Sequence, residues 1–176
     1  SIAKLKDEMV DREAIRNCLY RYSRAIDRQD EDLLRAVYWP EATDVHLDFK
    51  GGVEDFIKWA MPQLRAMKQT MHMLGNILIE LDGPTAKVET YLYSYHRLEM
   101  GGVMRDVVAG GRFLDKFERR GDEWRIAERF TLTDWFREYP DSADWALGPF
   151  GIGKTSGIAY GTPGRGDRSY TWLGFR

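Results

Sequence analysis

The chain has 176 residues, and its 26 basic and 28 acidic side chains give a formal net charge of −2. This length predicts one domain that is large enough for a hydrophobic core and a small-molecule cavity. The near balance of charge provides no general attraction to nucleic acid or to an anionic membrane, and no apolar run approaches the roughly 18 residues that a membrane helix needs. The sequence therefore predicts a globular protein with neither nucleic-acid nor membrane partners.

The N-terminal stretch and the cysteine content indicate the cellular setting. Residues 1–15 contain no apolar signal core, which favours a protein that is not exported. Cys18 is the single cysteine, so an internal disulfide is excluded, and its helical core spacing predicts a buried structural thiol rather than a nucleophile. We therefore expect a cytoplasmic protein in a reducing compartment.

Three helices are predicted in the N-terminal part of the chain. Residues 4–29 place five apolar side chains at the spacing of one helical stripe: Ile15, Cys18, Leu19, Tyr22 and Ile26. Residues 30–40 predict a short helix with acids in its first turn and Pro40 at its end. A short alternating strand follows at 42–49, and residues 51–68 predict the third helix.

The hydrophobic pattern then changes to that of β-strands. Four segments rich in β-branched and aromatic residues are separated by turn signals: residues 71–81, 85–100, 104–120 and 123–136. Helices followed by hairpin-linked strands predict an α+β fold, in which three N-terminal helices cover one face of a curved antiparallel sheet. The sheet and the helices would form a cone with an internal cavity.

Residues 141–176 differ from the rest of the chain. Eight glycines fall between Gly148 and Arg176, interspersed with aromatic residues that a linker would not carry. We therefore predict a cone domain at 1–140 and a Gly/aromatic-rich arm at 141–176, which packs over the cavity mouth or against a neighbouring subunit. A disordered tail is the alternative.

Two histidines fall on neighbouring predicted strands. On the second long strand the less polar alternate set contains His96, so this residue should face the cavity. His72 shares a face of its own strand with Leu74, Asn76 and Leu78, but both faces of that strand are apolar. A single histidine on a strand is more often structural than catalytic. Two histidines on adjacent strands make the catalytic interpretation as good as the structural one.

The other polar candidates have simpler explanations from the residues alone. His46 lies between two acids on the short strand and is interpreted as a structural or surface residue. Asp27 flanks the apolar stripe near the end of the first helix and would face solvent, Asp30 is the predicted N-cap of the second helix, and Arg129 could equally be a surface cation. No His or Cys pair has metal-ligand spacing, so the sequence predicts no metal site.

The order of elements and four local strings resemble the nuclear transport factor 2-like, SnoaL-like superfamily over residues 9–140. The strings are AIRNCLYRYSRAIDRQD in the first helix, TMHM and LYSYHRLE on the first two long strands, and GGRFLDKFERRGDEWRIAERF at the end. The members that the chain resembles are scytalone dehydratase, bile acid 7α-dehydratase and γ-hexachlorocyclohexane dehydrochlorinase. This resemblance implies a cystatin-like α+β barrel, the cone fold of the superfamily.

The resemblance also implies a catalytic site. In these lyases an aspartate of the first helix pairs with a histidine at a strand start as general base, and these positions match Asp27 and His72. Tyr22, His96 and Arg129 match further positions from which members donate a proton or stabilise charge. His72 would accept a proton next to a leaving group while Asp27 holds its tautomer, and no cofactor or metal is required.

The predicted function is that of a cofactor-independent lyase. It would eliminate water, halide or formaldehyde from a hydrophobic, aromatic or polycyclic small molecule. The alternatives are an isomerase or polyketide-cyclase-type enzyme on the same cavity, and a non-catalytic ligand-binding or partner-subunit member. We also expect a homodimer or homotrimer, because the open sheet face and the arm need cover. The choice of proton donor among Tyr22, His96 and Arg129 stays open.

Overall fold

The computed structural model describes residues 1–152 and 157–176. Within these residues the helices are α1 Ile2–Arg28, α2 Glu31–Ala36, α3 Val53–Ala66 and α4 Arg168–Trp172, with a 3₁₀ turn at Pro149–Gly151. The strands are β1 Tyr38–His46, β2 Phe49–Gly52, β3 Gln69–Asp82, β4 Thr85–Met100, β5 Val103–Arg120 and β6 Glu123–Pro140. None of the described helices is long and apolar enough to cross a membrane. The predicted α+β class is confirmed.

One curved, open sheet carries all six described strands in the order β2-β1-β6-β5-β4-β3. The four long strands form the predicted antiparallel meander from β3 to β6. However, β1 pairs parallel to β6, so the sheet is mixed, and the expectation of a wholly antiparallel sheet is wrong at this pair. Hydrophobic alternation gives the face of a strand but not its partner, so the β1–β6 pairing was not accessible from the pattern.

The second helix is shorter than predicted. Asp30 is its N-cap as expected, and its carboxylate accepts a hydrogen bond of 3.0 Å from the backbone N–H of Leu33. The helix ends at Ala36 rather than at Pro40, because the chain is already extended from Tyr38 onward and pairs there with β6. The proline therefore lies within the irregular start of β1 rather than at a helix end.

The apolar stripe of α1 packs into the core as predicted. Its five members are buried against the inner face of the sheet and against α3. Cys18 is fully buried, its thiol donates to the carbonyl oxygen of Val37 at 3.4 Å, and burial raises its pKa to about 12. A thiol held protonated in this way is a packing group rather than a nucleophile.

Helix α1 also covers an edge of the sheet. Strand β3 is the last strand on its side, so its outward N–H and C=O groups lack a strand partner. The Arg12 guanidinium donates to the carbonyl of Ile79 at 2.6 Å, and Asp27 Oδ2 accepts from the backbone N–H of His72 at 2.9 Å. These contacts lay α1 along β3, with the C-terminal end of α1 against the start of the strand.

A bulge in β3 changes which of its residues face the core. Leu74 pairs with Leu92 and Ile77 with Thr90, so β3 has one extra residue in this interval. His72 and Leu74 lie on the inner face as one set, whereas Ile77 and Ile79 replace Asn76 and Leu78 beyond the bulge. The expectation that His72, Asn76 and Leu78 share one face is therefore wrong.

The described part of the C-terminal arm packs against the ends of three elements. Asp167 accepts from Arg28 at the end of α1 at 2.8 Å, and the carbonyl of Gly161 accepts from Gln69 at the start of β3 at 2.8 Å. Asp141 makes two hydrogen bonds with Arg97 of β4, at 2.9 and 3.1 Å. The arm thus contacts α1 and β3 close to Asp27 and His72, and its role as a lid or subunit contact stays a prediction.

Candidate functional site

Asp27 and His72 form a direct hydrogen-bonded pair. Asp27 Oδ1 lies 2.8 Å from His72 Nδ1, and the same oxygen accepts from the hydroxyl of Thr70 at 2.9 Å. With the His72 backbone N–H on Oδ2, three donors fix the carboxylate. A carboxylate partner requires that Nδ1 carries the ring proton, which leaves the lone pair of Nε2 as a base.

The surroundings of Asp27 keep its carboxylate ionised. Burial alone would raise the pKa of Asp27, but the hydrogen bonds and charge of His72 and the hydroxyl of Thr70 outweigh it and lower the pKa below its usual value. Both side chains keep a small exposed fraction, 12% for His72 and 14% for Asp27. The pair is therefore held by several hydrogen bonds, and His72 remains accessible from the cavity.

All three histidines of the chain line one cavity of about 100 Å³. The other residues that line it are Tyr22, Ile26, Leu47, Phe56, Trp59, Ala60, Gln63, Leu64, Met67. The cavity lies between α1, α3 and the inner face of the sheet, where the sequence predicted it. Larger depressions of about 670 and 700 Å³ lie on the outer face of the sheet and beside α1, but neither is lined by a histidine.

His96 faces the cavity as alternation predicted. Its ring meets the ring of His72 edge to face, with centroids 5.4 Å apart. His96 Nδ1 lies 3.1 Å from the carbonyl oxygen of Val107 on β5. Burial, followed by the neighbouring His72, lowers the pKa of His96 to about 4, so this imidazole is neutral at neutral pH.

His46 is the residue whose position the sequence interpretation missed. It lines the cavity, with its ring 5.6 Å from that of Phe56 and 5.8 Å from that of Trp59. Thr131 Oγ1 lies 3.2 Å from its Nδ1, and burial lowers its pKa to about 3. The sequence contained one indication of this position, because His46 alternates in step with the apolar Ala42 and so lies on the same inner face of β1.

Tyr22 and Arg129 have different positions relative to the cavity. Tyr22 lines it from α1, and burial raises the pKa of its phenol. Arg129 does not line it: the guanidinium lies 4.2 Å from the Tyr22 ring centroid and 3.8 Å from that of Phe113, and it makes hydrogen bonds of 2.7 and 2.8 Å to Asp115. The structure thus brings four predicted residues, Asp27, His72, Tyr22 and His96, together and leaves Arg129 behind the cavity wall.

A further carboxylate, Asp44, lies in the same row of the sheet. It is in register with Arg129 on β6, which is in register with Asp115 on β5. Tyr38 donates to Asp44 Oδ2 at 2.5 Å, whereas Oδ1 is buried, has no hydrogen-bond partner among the described residues and lies 3.9 Å from His46 Nδ1. Burial raises the pKa of Asp44 to about 6, although the charge of Arg129 opposes the shift.

The described residues contain no group of three or more His, Cys, Asp or Glu side chains placed to hold a metal ion. The cavity wall itself carries side chains that can exchange or share protons. It has one oriented imidazole base, two further neutral imidazoles and a phenol within an apolar enclosure.

Known proteins resemble the chain in sequence and in fold. A model of the SnoaL-like domain family matches residues 7–130. The uncharacterised protein Rv2910c of Mycobacterium tuberculosis is 31% identical over 129 residues, which cover 69% of this chain and 84% of that protein. The crystal structure of a hexachlorocyclohexane dehydrochlorinase, LinA type 2, gives a TM-score of 0.71 at 18% identity, over 78% of this chain and 95% of that chain. A candidate scytalone dehydratase of Novosphingobium aromaticivorans gives 0.68 at 19% identity, over 80% and 99%.

Proposed function

Because the chain belongs to the SnoaL-like domain family, we propose that it is a cofactor-independent lyase with Asp27 and His72 as its general base. The reaction would eliminate water, halide or formaldehyde from a hydrophobic small molecule. The observation that carries the proposal is the 2.8 Å hydrogen bond between Asp27 and His72 in the wall of an apolar cavity. The family and its solved relatives include dehydratases and dehydrochlorinases, which supports this class of reaction.

The proposed step uses the free lone pair of His72 Nε2. For loss of water or halide, Nε2 takes a proton from a carbon, the C–H electrons form a C=C bond, and the leaving group departs with the electrons of its bond. Asp27, kept ionised by its three donors, stabilises the imidazolium that results. The apolar wall excludes water and so strengthens this interaction.

The hydrogen bonds of the site favour Tyr22 over the other two predicted donors. A backbone carbonyl only accepts, so the bond to Val107 places the ring proton of neutral His96 on Nδ1 and leaves its Nε2 as an acceptor. Arg129 does not line the cavity, and two of its three guanidinium nitrogens donate to Asp115. The phenol of Tyr22 remains able to donate to a departing oxygen or halide.

The cavity volume favours a small substrate. About 100 Å³ is well below the roughly 300–1,000 Å³ of typical ligand pockets. A substrate with a single ring is therefore favoured over a polycyclic one. The wall of Phe56, Trp59 and Met67 suits an aromatic or alicyclic ring.

A turnover screen followed by mass spectrometry tests the proposal. Single-ring hydroxylated and chlorinated compounds and aryl propanediols would be offered to the wild type, to His72→Gln and to Asn76→Gln. Asn76 lies on the same strand but is exposed outside the cavity, so its variant is a matched control. We expect loss of water, hydrogen chloride or formaldehyde with the wild type and Asn76→Gln, and loss of this turnover in His72→Gln.

The other outcomes separate the alternatives. A product of unchanged mass that also depends on His72 would indicate an isomerase or cyclase. Turnover that survives His72→Gln would contradict the assignment of the base. Binding without turnover of any compound would contradict the lyase and favour a binding module.

We also propose a homo-oligomer that buries the outer face of the sheet. Met73, Tyr93 and Trp135 are 42–56% exposed there, and the rings of Tyr93 and Trp135 lie 5.9 Å apart. Adjacent apolar side chains on an open sheet face are typical of an interface. Light scattering should give a multiple of 20.5 kDa for the wild type and a smaller mass for Trp135→Glu, and a wild-type monomer would contradict the proposal.

A further inference from the structure

Each of the three cavity histidines is held through its Nδ1 atom. The partners are the carboxylate of Asp27 for His72 at 2.8 Å, the carbonyl of Val107 for His96 at 3.1 Å, and the hydroxyl of Thr131 for His46 at 3.2 Å. No Nε2 atom of these rings has a hydrogen-bond partner in the part of the chain that the structure describes. The three rings therefore leave Nε2 as the atom available to a ligand.

The chemistry of each anchor decides what Nε2 can do. A carboxylate and a carbonyl can only accept a hydrogen bond, so neutral His72 and His96 carry their proton on Nδ1. Their Nε2 atoms are then both acceptors. Two acceptors facing one small cavity provide a base and a partner for a substrate hydroxyl, but they provide no N–H donor.

The anchor of His46 differs because a hydroxyl can donate. Thr131 is half-buried and its Oγ1 has no other hydrogen-bond partner among the described residues, so donation to His46 Nδ1 is the arrangement that satisfies its proton within the protein. This arrangement places the ring proton of His46 on Nε2. The competing acceptor, Asp44 Oδ1, is 3.9 Å from Nδ1, which is outside hydrogen-bond range.

The neighbours of His46 keep the ring neutral and oriented. Its ring packs beside those of Phe56 and Trp59, and burial disfavours the imidazolium form. A neutral imidazole N–H is a hydrogen-bond donor that can polarise a carbonyl or stabilise a developing oxyanion without transferring its proton. No bond of the ring needs to break for this role.

We propose that His46 presents a neutral Nε2–H group to an oxygen atom of the bound substrate, opposite the acceptor nitrogens of His72 and His96. The identity of that oxygen as part of a reacting molecule rests on the proposed lyase function. The tautomer of His46 and its preference for an oxygen-bearing ligand do not depend on that function, and both can be measured without turnover.

Long-range ¹H–¹⁵N correlation spectra of the ¹⁵N-labelled full chain at neutral pH test the tautomers. Single variants of each histidine to Gln assign the three rings. We expect two rings with the proton on Nδ1 and one with it on Nε2, and the latter should disappear in His46→Gln. Thr131→Val should shift His46 towards the Nδ1–H form, whereas Thr133→Val, on an exposed position of the same strand, should not. A His46 ring protonated on Nδ1 in the wild type would overturn the proposal.

Two ring probes of similar shape test the donor role. Cyclohexanone carries an oxygen acceptor and methylenecyclohexane does not. We expect cyclohexanone to move the His46 Nε2 resonance and to bind roughly 2- to 12-fold more tightly, as for one net hydrogen bond, and this preference should be lost in His46→Leu. Equal binding of the two probes, or a preference that persists in His46→Leu, would overturn the proposal. Because neither readout uses turnover, this result is independent of whether the lyase reaction is found.

Discussion

Two carboxylates of the molecule each bind a basic side chain at a similar distance, but the surroundings of the two pairs differ. Asp27 and His72 meet at 2.8 Å and keep exposed fractions of 14% and 12%, whereas Asp115 and Arg129 meet at 2.7 Å with both side chains fully buried. The first pair leaves His72 Nε2 open to a cavity, and the second is enclosed by aromatic rings. A charge pair can take part in chemistry only where one of its atoms remains reachable, and otherwise it acts on stability.

The buried pair illustrates why Arg129 is a doubtful proton donor. Burial alone would lower the pKa of Arg129, but the charge of Asp115 outweighs it and raises the pKa well above its usual value. Its two hydrogen bonds to Asp115 are those of a bidentate pair. Such a pair sets the position of β6 against β5, and Arg129 does not line the cavity.

Removing the carboxylate of Asp27 should have the largest effect, and we expect that effect on the rate of turnover rather than on stability. In Asp27→Asn the amide no longer selects the Nδ1–H tautomer of His72, so we expect kcat to fall by roughly 10³- to 10⁴-fold. The free energy of unfolding should change by only about 1 kcal/mol, because the amide oxygen still accepts from the His72 backbone N–H and the amide N–H can donate to the hydroxyl of Thr70. Steady-state kinetics and urea unfolding measure the two effects, and a loss of stability as large as the loss of kcat would break the comparison.

Removing the carboxylate of the buried pair should give the reverse result. Asp115→Asn leaves the guanidinium of Arg129 buried without its counter-charge, so the free energy of unfolding should fall by about 3–5 kcal/mol. Glu54→Gln is the matched control, because Glu54 of α3 makes the same two-point contact with Arg35 of α2 at the surface, where an exposed pair contributes about 0–1 kcal/mol. Equal effects of the two substitutions in urea unfolding would contradict the distinction between buried and exposed pairs.

Asp44 lies next to Arg129, on the side of the sheet away from β3, and should show the smallest change, which appears as a pH dependence of stability. Burial raises its pKa to about 6 from a usual 3.8, so the folded state holds this proton more tightly than the unfolded chain. The protonated carboxyl of Asp44 therefore contributes its full stabilisation below the pKa of the unfolded chain. This stabilisation, roughly 3 kcal/mol, is lost as the pH rises through the pKa of the folded state.

The variant Asp44→Asn has no proton to lose at this position. The difference in unfolding free energy, wild type minus Asp44→Asn, should therefore fall as the pH is raised from about 4 to about 7 and then stay constant. Urea unfolding at a series of pH values measures the difference. Parallel curves across this range would show that burial does not shift Asp44.

The sequence predicted those parts of the structure that depend on local pattern. Strand β4 begins and ends at the predicted residues, Thr85 and Met100, because its alternation and flanking turns are unambiguous. His96 followed the inner face of that strand into the cavity. The position of Asp27 next to His72 came from the family resemblance, since the helical pattern alone assigned Asp27 to solvent.

The parts that were missed depend on contacts between distant segments. The bulge of β3 reverses the faces beyond Gly75, and alternation cannot reveal one extra residue in a strand that is apolar on both sides. The parallel pairing of β1 with β6 brings His46 next to Thr131, and no local pattern specifies a parallel partner. The family resemblance assigned Arg129 to the site, whereas its burial depends on Asp115 from the adjacent strand.

The contact between Asp27 and the backbone of β3 has a consequence for self-association. An uncovered N–H at a sheet edge can recruit a strand from another molecule and so start aggregation. Asp27 occupies the N–H of His72 with one oxygen while it orients the imidazole with the other. The carboxylate that orients the imidazole therefore also closes an entry point for misassembly, and we expect loss of Asp27 to lower solubility on storage.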